Sequence, residues 1–311
     1  MAQTLPDPTE LRPYGSTNLR VTPICIGCAP LGNMPDTFAY SVSESNALAT
    51  VRAFFHSQLN FLDTAASYGD GESERRIGLV LRELGGVPKG FVVATKADRD
   101  PTSLDFGGDQ MRRSVDRSLR LLGLDYLDIC YLHDPEYTTF EEITKTGGAL
   151  DALRRLVEEG VIRHLGLAGG PTDVMLRYVE LDCFDAVISH NRFTLLNRDA
   201  APLFDEASRR GMAVVNAAPY GSGLLAKGST AYPRYMYGQA SEEYLARARR
   251  LEDLCSGFGI PLAAVALQFS LSDPRITSTI VGMSQPERLE QTVALARLKI
   301  PPALWDEALT I

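Results

Sequence analysis

Three titratable residues each end a short apolar segment of this sequence. Asp63 follows LNFL, Lys96 follows FVVAT, and His133 follows YLDICYL. A phenol, Tyr68, comes shortly after Asp63 in a loop of small residues. An Asp and a Tyr alone would more often be a loop cap and a packed ring than a catalytic pair. If the apolar segments are successive strands of a repeating strand–helix unit, however, their ends meet and bring all four side chains together.

This set of residues supports proton donation to a carbonyl oxygen. A free tyrosine has a pKa of about 10 and is a poor acid near neutrality. The ammonium group of Lys96 would lower the pKa of Tyr68 by favouring the phenolate, while Asp63 would keep Lys96 charged and oriented. His133 would hydrogen-bond the substrate oxygen. None of these residues can supply a hydride, so a reduction here requires a cofactor.

A Schiff-base aldolase with Lys96 as nucleophile is a competing interpretation. That chemistry needs a desolvated, neutral lysine. Pairing with Asp63 favours the charged form instead.

The elements that would position these residues follow from the alternation of strand and helix patterns. Strands are expected at Ile24–Cys28, Leu59–Asp63, 91–96, 127–132, Ile162–Ala168, Ala186–His190, Met212–Ala217 and Thr277–Val281. Helices are expected at Ser43–Ser57, Glu72–Leu84, Gln110–Leu122, Gly147–Glu159, Thr172–Glu180, Asp199–Arg210, Ser241–Gly257, Leu262–Leu271 and Pro286–Ala296. Eight such units without a linker favour one (β/α)8 TIM-barrel domain over residues 1–311.

Three further features complete the predicted fold. A hairpin covers Leu11–Pro23, a helix is added at the C-terminus, and an insertion at 224–239 is interpreted as a mobile lid. An open doubly wound sheet that binds a dinucleotide would carry G-x-G-x-x-G after its first strand, and that motif is missing.

Composition narrows the possible partners and location. The net charge is −8 with no run of like charge, so no nucleic-acid partner is expected. No apolar run approaches a membrane span, and the start of the chain lacks the apolar core of a signal sequence, so a cytoplasmic location is expected. A small-molecule substrate is the remaining expected partner.

The five cysteines are scattered and lie mostly in apolar contexts, which is typical of buried reduced thiols. The C-x-x-C spacing of Cys25 and Cys28 lies inside a strand without a second ligand pair. No metal site is therefore predicted.

Over roughly Leu11 to Ala308 the sequence resembles the aldo-keto reductase family. The resemblance rests on FLDTAASYG, VVATKA and GLDYLDICYLH, and on AAPYGSGLL and IVGMSQPERLEQT. It implies a barrel that binds extended NADP or NAD across its strand ends and transfers a hydride to or from an aldehyde, ketone or sugar. CAPLGN and VVNAAPYGSGLL look closest to the aldose 1-dehydrogenases and pyridoxal 4-dehydrogenases. A non-catalytic nicotinamide-binding member of the family is the alternative.

The same resemblance implies cofactor contacts, carried over by position. They are Asn191, Ala217, Gly221, Ser222, Gly223, Leu224, Gly282, Met283, Ser284, Arg288, Gln291 and Thr292. In this assignment the segment around Ser222 wraps the pyrophosphate, Asn191 binds the carboxamide, and Arg288 is the main partner for a 2′-phosphate.

The sequence departs from the family pattern at three places. Gly169 and Gly170 stand where the family often has a Ser-Asn pair, and Ala217 stands where many members stack an aromatic ring. Gly282 and Met283 replace a cation and hydroxyl pair that is common in NADP-specific members. These departures predict use of both cofactors with a modest preference.

Overall fold

The computed structural model describes residues 7–311. The prediction that the chain starts without a signal sequence rests partly on residues 1–6, which lie outside this range. Among the described residues, no single helix is long and apolar enough to cross a membrane. Two consecutive helices, Glu242–Gly257 and Leu262–Leu271, meet that criterion only as a pair bent by 104°.

A closed barrel of eight parallel strands forms the centre of the molecule, which confirms the predicted fold class. Its strands, in spatial order, are β12 (Ile276–Gly282), β3 (Ile24–Gly27), β4 (Phe61–Asp63), β5 (Val92–Ala97), β6 (Leu127–His133), β7 (Ile162–Gly169), β8 (Ala186–His190) and β9 (Ala213–Ala217). Every barrel strand falls at a predicted position, and the bounds differ by at most two residues. Closure leaves no unpaired strand edge in the barrel.

Helices surround the barrel, and their apolar faces cover its outer surface. They are α1 (Pro35–Phe38), α2 (Glu44–Phe55), α3 (Glu72–Leu84), α4 (Gly108–Leu122), α5 (Phe140–Thr144), α6 (Ala149–Glu158), α7 (Thr172–Val179), α8 (Ala201–Arg209), α9 (Leu224–Lys227), α10 (Glu242–Gly257), α11 (Leu262–Leu271), α12 (Glu287–Arg297) and α13 (Pro302–Ala308). The short helices α1 and α5 were not predicted, because four or five residues are too few to show a helical period. Helix α13 is the expected C-terminal addition.

The predicted N-terminal hairpin closes the bottom of the barrel. Its strands β1 (Arg12–Pro13) and β2 (Arg20–Val21) are antiparallel, and Tyr14 between them is fully buried. The Tyr14 ring meets Phe61 edge to face at 5.6 Å, and its hydroxyl contacts that of Tyr131 inside the barrel. Gly15 follows in a left-handed conformation, where a Cβ would lie 2.5 Å from the backbone nitrogen of Ala213. Only glycine fits this approach.

The predicted insertion folds into a helix and a small hairpin. After α9, strands β10 (Arg234–Tyr235) and β11 (Gly238–Gln239) pair antiparallel. Its predicted mobility stays a prediction. The cysteines are free thiols as expected, and all but the half-buried Cys183 are buried.

Candidate active site

The four residues expected to do chemistry lie together at the carboxyl ends of β4, β5 and β6. The Lys96 ammonium donates to a carboxylate oxygen of Asp63 at 2.7 Å and to the Thr64 carbonyl at 2.7 Å. Its third neighbour is the Tyr68 hydroxyl at 3.1 Å. Asp63 and Lys96 are each 2% exposed. Water is therefore largely excluded from this ion pair, and its geometry is set by the two strands.

Close contact with a neighbouring loop positions Tyr68. Gly69 adopts a φ of 62°, and a Cβ there would lie 2.0 Å from the Gly32 carbonyl oxygen. The reverse also holds, since a Cβ on Gly32 would lie 2.7 Å from the Tyr68 carbonyl oxygen. These glycines let the loop after β3 lie directly against the loop after β4, which points the phenol at Lys96.

The sequence predicted that the pKa of Tyr68 would be lowered, and this prediction is wrong. Burial raises the pKa of Tyr68 above its ordinary value, and the positive charge of Lys96 only partly offsets this. The reason is that the neutral phenol loses less solvation than the phenolate on burial. Burial opposes the charged form of Lys96 as well, but the Asp63 carboxylate outweighs it and raises the pKa of Lys96. The resting site thus contains a neutral phenol beside a charged lysine.

A fifth polar residue, Asp98, orients His133 and was not predicted. An Asp98 carboxylate oxygen lies 2.6 Å from His133 Nδ1, and the other oxygen accepts the Ser67 N–H at 2.8 Å. Burial alone would lower the pKa of His133, but Asp134 and Asp98 raise it to about 9. His133 is therefore an imidazolium at neutral pH, and its Nε2 can donate a hydrogen bond. The signal was present in the sequence, because Asp98 lies two residues beyond Lys96 and one residue past the end of β5, where a continued strand period of two would place both side chains on the same side.

A cavity of about 430 Å³ opens above these residues and extends along the strand ends of the barrel. It is lined by all four members of the set and, from the predicted cofactor contacts, by Ala217, Ser222, Gly223, Gly282, Ser284 and Arg288. The remaining predicted contacts do not line it: Asn191, Gly221, Leu224 and Met283 are buried beneath, Gln291 is exposed, and Thr292 bonds back to the Arg288 carbonyl.

Ser222 lines this cavity and is hydrogen-bonded to Asn191, which is buried behind it. Ser222 donates its hydroxyl proton to the Asn191 side-chain oxygen at 3.0 Å and accepts the Tyr237 N–H at 3.0 Å. Tyr235 donates to the Asn191 carbonyl at 2.9 Å. Both Asn191 and Ser222 have positive φ, 59° and 62°, which these contacts hold in place. The insertion at 224–239 therefore contributes to the wall of the cavity, through Tyr237.

Two cations at the far end of the cavity suit a phosphorylated cofactor. Lys227 and Arg288 both line this end, and among residues 7–311 neither forms an ion pair with a carboxylate. Burial and the charge of Arg288 lower the pKa of Lys227. Lys227 Nζ lies 4.0 Å from the Tyr232 ring centroid and 4.5 Å from that of Tyr40. An anion would relieve the repulsion between the cations, so the residues present fit a nicotinamide dinucleotide that extends from Lys96 to Arg288.

Contacts across the cavity connect the insertion to the loop after β3. Tyr232 donates to the Phe38 carbonyl at 3.1 Å, and Arg234 donates to the Thr37 carbonyl at 3.3 Å. The Phe38 and Tyr237 rings meet edge to face at 6.3 Å. A ligand lying along the strand ends would pass beneath these contacts.

The sequence model described as the Aldo/keto reductase family matches residues 23–308. The chain belongs to this family and is an NAD(P)-dependent oxidoreductase, as the resemblance implied.

Several characterised proteins are similar to this chain. L-galactose dehydrogenase of Arabidopsis thaliana is 33% identical over 92% of this chain and 87% of its own length. D-threo-aldose 1-dehydrogenase of a Pseudomonas species is 31% identical, covering 94% of each. Pyridoxal 4-dehydrogenase of Microbacterium luteolum is 30% identical, covering 96% of each.

The solved structures agree on the fold. A holo aldo-keto reductase from Bacillus halodurans superposes with a TM-score of 0.79 at 22% identity, covering 97% of this chain and 95% of its own. At this identity the superposition supports the barrel architecture only.

Proposed function

We propose that this protein transfers a hydride between a nicotinamide cofactor and the carbonyl or lactol carbon of a sugar or small aldehyde, with Tyr68 as the general acid and base. The observation that carries the proposal is the contact of the Tyr68 hydroxyl with the Lys96 ammonium at 3.1 Å, next to an imidazolium at His133. The similarity to sugar and pyridoxal dehydrogenases supports the substrate class.

In reduction, the substrate oxygen gains a proton as its carbon gains a hydride. Tyr68 is neutral at rest and so holds the proton to be donated. The charge of Lys96 stabilises the phenolate that is left behind, and His133 Nε2 donates a second hydrogen bond to the same oxygen. In oxidation Tyr68 must first lose its proton to solvent, and the charge of Lys96 lowers the free-energy cost of forming the phenolate that then accepts the substrate proton. When bound, the nicotinamide supplies or receives the hydride.

The Schiff-base alternative lacks support from the site. A nucleophilic lysine must be neutral, whereas Asp63 holds Lys96 charged at 2.7 Å. Borohydride trapping of Lys96 with a substrate carbonyl would be required to revive that mechanism.

A substrate and cofactor screen tests the proposal. Aldoses, pyridoxal and simple aldehydes would each be assayed with NAD, NADP and their reduced forms, by the absorbance of the reduced nicotinamide. We expect turnover with at least one uncharged sugar or aldehyde. Absence of turnover with all of them would contradict the proposal.

A further inference from the structure

The insertion hairpin has a two-residue turn with a strained backbone. Strands β10 and β11 pair Tyr235 with Gly238, so Met236 and Tyr237 form the whole turn. Both turn residues have positive φ, 49° and 65°. Turns of this kind strongly favour Asn-Gly, because bulky L-residues are strained in the left-handed region. Strained residues persist only where the surrounding structure holds them, and they cluster at functional sites.

Both backbone groups of Tyr237 are anchored. Its N–H donates to the Ser222 hydroxyl at 3.0 Å, and its carbonyl accepts from the Arg234 guanidinium at 2.7 Å. Its ring centroid lies 6.3 Å from that of Phe38, which follows β3, and 5.9 Å from that of His190, which ends β8. The strained turn therefore holds the Tyr237 side chain over the cavity, which this side chain lines.

The hydroxyl of Tyr237 lies at the catalytic end of the cavity. Burial raises the pKa of Tyr237, and the charges of Asp134 and Lys96 also act on it. Tyr220 lines the cavity as well, but after burial the charge that acts on its pKa is Arg288, at the opposite end. Tyr237 is therefore a neutral phenol near the catalytic lysine, whereas Tyr220 belongs to the end that suits the phosphates.

The Tyr237 hydroxyl has a proton to donate and no acceptor for it. The other two tyrosines of the insertion, Tyr232 and Tyr235, donate to the carbonyls of Phe38 and Asn191, whereas among residues 7–311 the Tyr237 hydroxyl donates to none. A hydrogen bond with Asn191 partly offsets the rise that burial causes in the pKa of Tyr237, so Asn191 is the donor in that contact. Tyrosine hydroxyls enclosed by protein usually find a partner. A ligand in the cavity can supply the missing acceptor.

We propose that Tyr237 is a ligand-binding residue of the active site, whose hydroxyl donates a hydrogen bond to an uncharged oxygen of the group bound beside Lys96 and Tyr68. Two such oxygens are the carboxamide oxygen of the nicotinamide and an oxygen of the carbonyl substrate. The cofactor source follows from family membership, whereas the substrate source rests on the proposed function. The resemblance assigned the carboxamide to Asn191, which is buried and already bonded to Ser222.

The test separates the hydroxyl from the ring and from the turn. Tyr237→Phe removes only the hydroxyl and keeps the ring packing, so it leaves folding intact. Tyr237→Asn removes the ring, and asparagine tolerates positive φ. Met236→Asn is the matched control, because it changes the other position of the same turn and Met236 does not line the cavity.

Calorimetric titration with NADPH, NADH and the thionicotinamide analogue of NADPH measures cofactor binding without turnover. In the analogue a sulfur, which is a weak acceptor, replaces the carboxamide oxygen. If Tyr237 binds the carboxamide, Tyr237→Phe should raise the Kd of NADPH and NADH alike by about three- to tenfold, the usual size for one neutral hydrogen bond. The analogue should bind wild type and Tyr237→Phe with nearly the same Kd.

If Tyr237 binds the substrate instead, Tyr237→Phe should leave every Kd unchanged. It should then lower kcat/KM at saturating cofactor by about three- to tenfold, with a substrate that the screen identifies. In either case Tyr237→Asn should lose at least as much as Tyr237→Phe, and Met236→Asn should change neither quantity.

Three outcomes would overturn the inference. In the first, Tyr237→Phe keeps both the wild-type Kd and the wild-type kcat/KM. In the second, only Tyr237→Asn loses affinity or activity, which would assign the contact to the ring. In the third, Met236→Asn loses as much as Tyr237→Phe, which would assign the effect to the turn.

Failure of the proposed function is distinguishable from failure of this inference. In that case wild type would turn over no substrate of the screen. A raised Kd for NADPH in Tyr237→Phe would still support the inference, and an unchanged Kd would overturn it.

Discussion

The Asp98 carboxylate lies 2.6 Å from Nδ1 of His133, and this contact determines what His133 can do. With Nδ1 bonded to Asp98, a neutral imidazole has only a lone pair at Nε2. The imidazolium has a proton there and can donate to a carbonyl oxygen. In the proposed carbonyl reduction, Asp98 thus acts through His133 as a positioning residue.

The first prediction concerns the pH dependence of reduction. The pKa of His133 is raised to about 9, so the donating imidazolium is present below that pH and is lost above it. Reduction should therefore decline as pH rises through about 9. Asp98→Asn removes a raising charge and should move this decline to lower pH by about one unit or more. The pH profiles of kcat/KM for wild type and Asp98→Asn measure this shift.

The control for that experiment is Asp105→Asn, at a half-exposed carboxylate on the same loop that pairs with Arg113. Asp105→Asn should leave the pH profile of kcat/KM unchanged. An unchanged alkaline limb in Asp98→Asn would show that His133 does not titrate in the limiting step.

The second prediction concerns the acid. Tyr68→Phe should lower kcat by about 10²- to 10⁴-fold, the usual size of a general-acid effect, with cofactor affinity nearly unchanged. Steady-state kinetics and a fluorescence titration with the reduced cofactor measure the two quantities. Tyr126→Phe, at a phenol 39% exposed on the outside of the barrel, is the control. Retention of more than about a tenth of wild-type turnover would contradict the role of Tyr68.

The third prediction concerns cofactor preference. Arg288 lines the end of the cavity without a carboxylate partner in the described chain, so it can form charge-assisted hydrogen bonds to a 2′-phosphate. Losing one such contact costs about 1.5–3 kcal/mol, so Arg288→Ala should weaken NADPH binding by about ten- to a hundredfold. NADH affinity should stay within about threefold. Direct titration of both cofactors is the measurement.

Lys227 makes this experiment more informative than the sequence suggested. It is a second cation at the same end, so Arg288→Ala alone should not abolish NADPH binding. Arg297→Ala, at an exposed arginine on the same helix, provides the control. Equal losses for NADH and NADPH would mean that Arg288 supports the adenosine or the helix instead.

The fourth prediction concerns stability. Glu74 on α3 is fully buried; one oxygen accepts from Thr95 at 2.5 Å, and the other is unpaired. Burial raises its pKa to about 7, above the ordinary value of 4.5. The folded state therefore binds the proton more tightly than the unfolded state. The contribution of Glu74 to stability is full below about pH 4.5 and is lost as pH rises through about 7.

Glu74→Gln keeps the shape and removes the charge, so it should raise the free energy of unfolding by about 3 kcal/mol at pH 8 and much less at pH 5. Urea unfolding at both pH values measures this. Glu72→Gln, at a nearby carboxylate whose pKa is lowered by Arg75, should not stabilise at pH 8. A destabilised Glu74→Gln at pH 8 would show that the carboxylate is compensated in the folded chain.

Local patterns in the sequence were enough to predict the barrel and the positions of Asp63, Lys96 and His133. Apolar runs show strands directly, and parallel strands joined by helices must place their carboxyl ends on one side. Tyr68 came with them because it lies only a few residues beyond Asp63. Asp98 could have been added by the same reasoning, since it lies two residues beyond Lys96, just past the end of β5.

Only the tertiary structure decided the remaining features of the site. The sequence cannot show that Lys227 approaches Arg288, because the first lies on an inserted helix and the second on α12. Nor does it show that the Gly170 N–H donates to Glu136, since that depends on how the loops after β6 and β7 meet. The predicted direction of the Tyr68 pKa shift was wrong for the same reason. A charge partner can be identified from sequence, whereas the depth of burial that outweighs it depends on packing from elements distant in the chain.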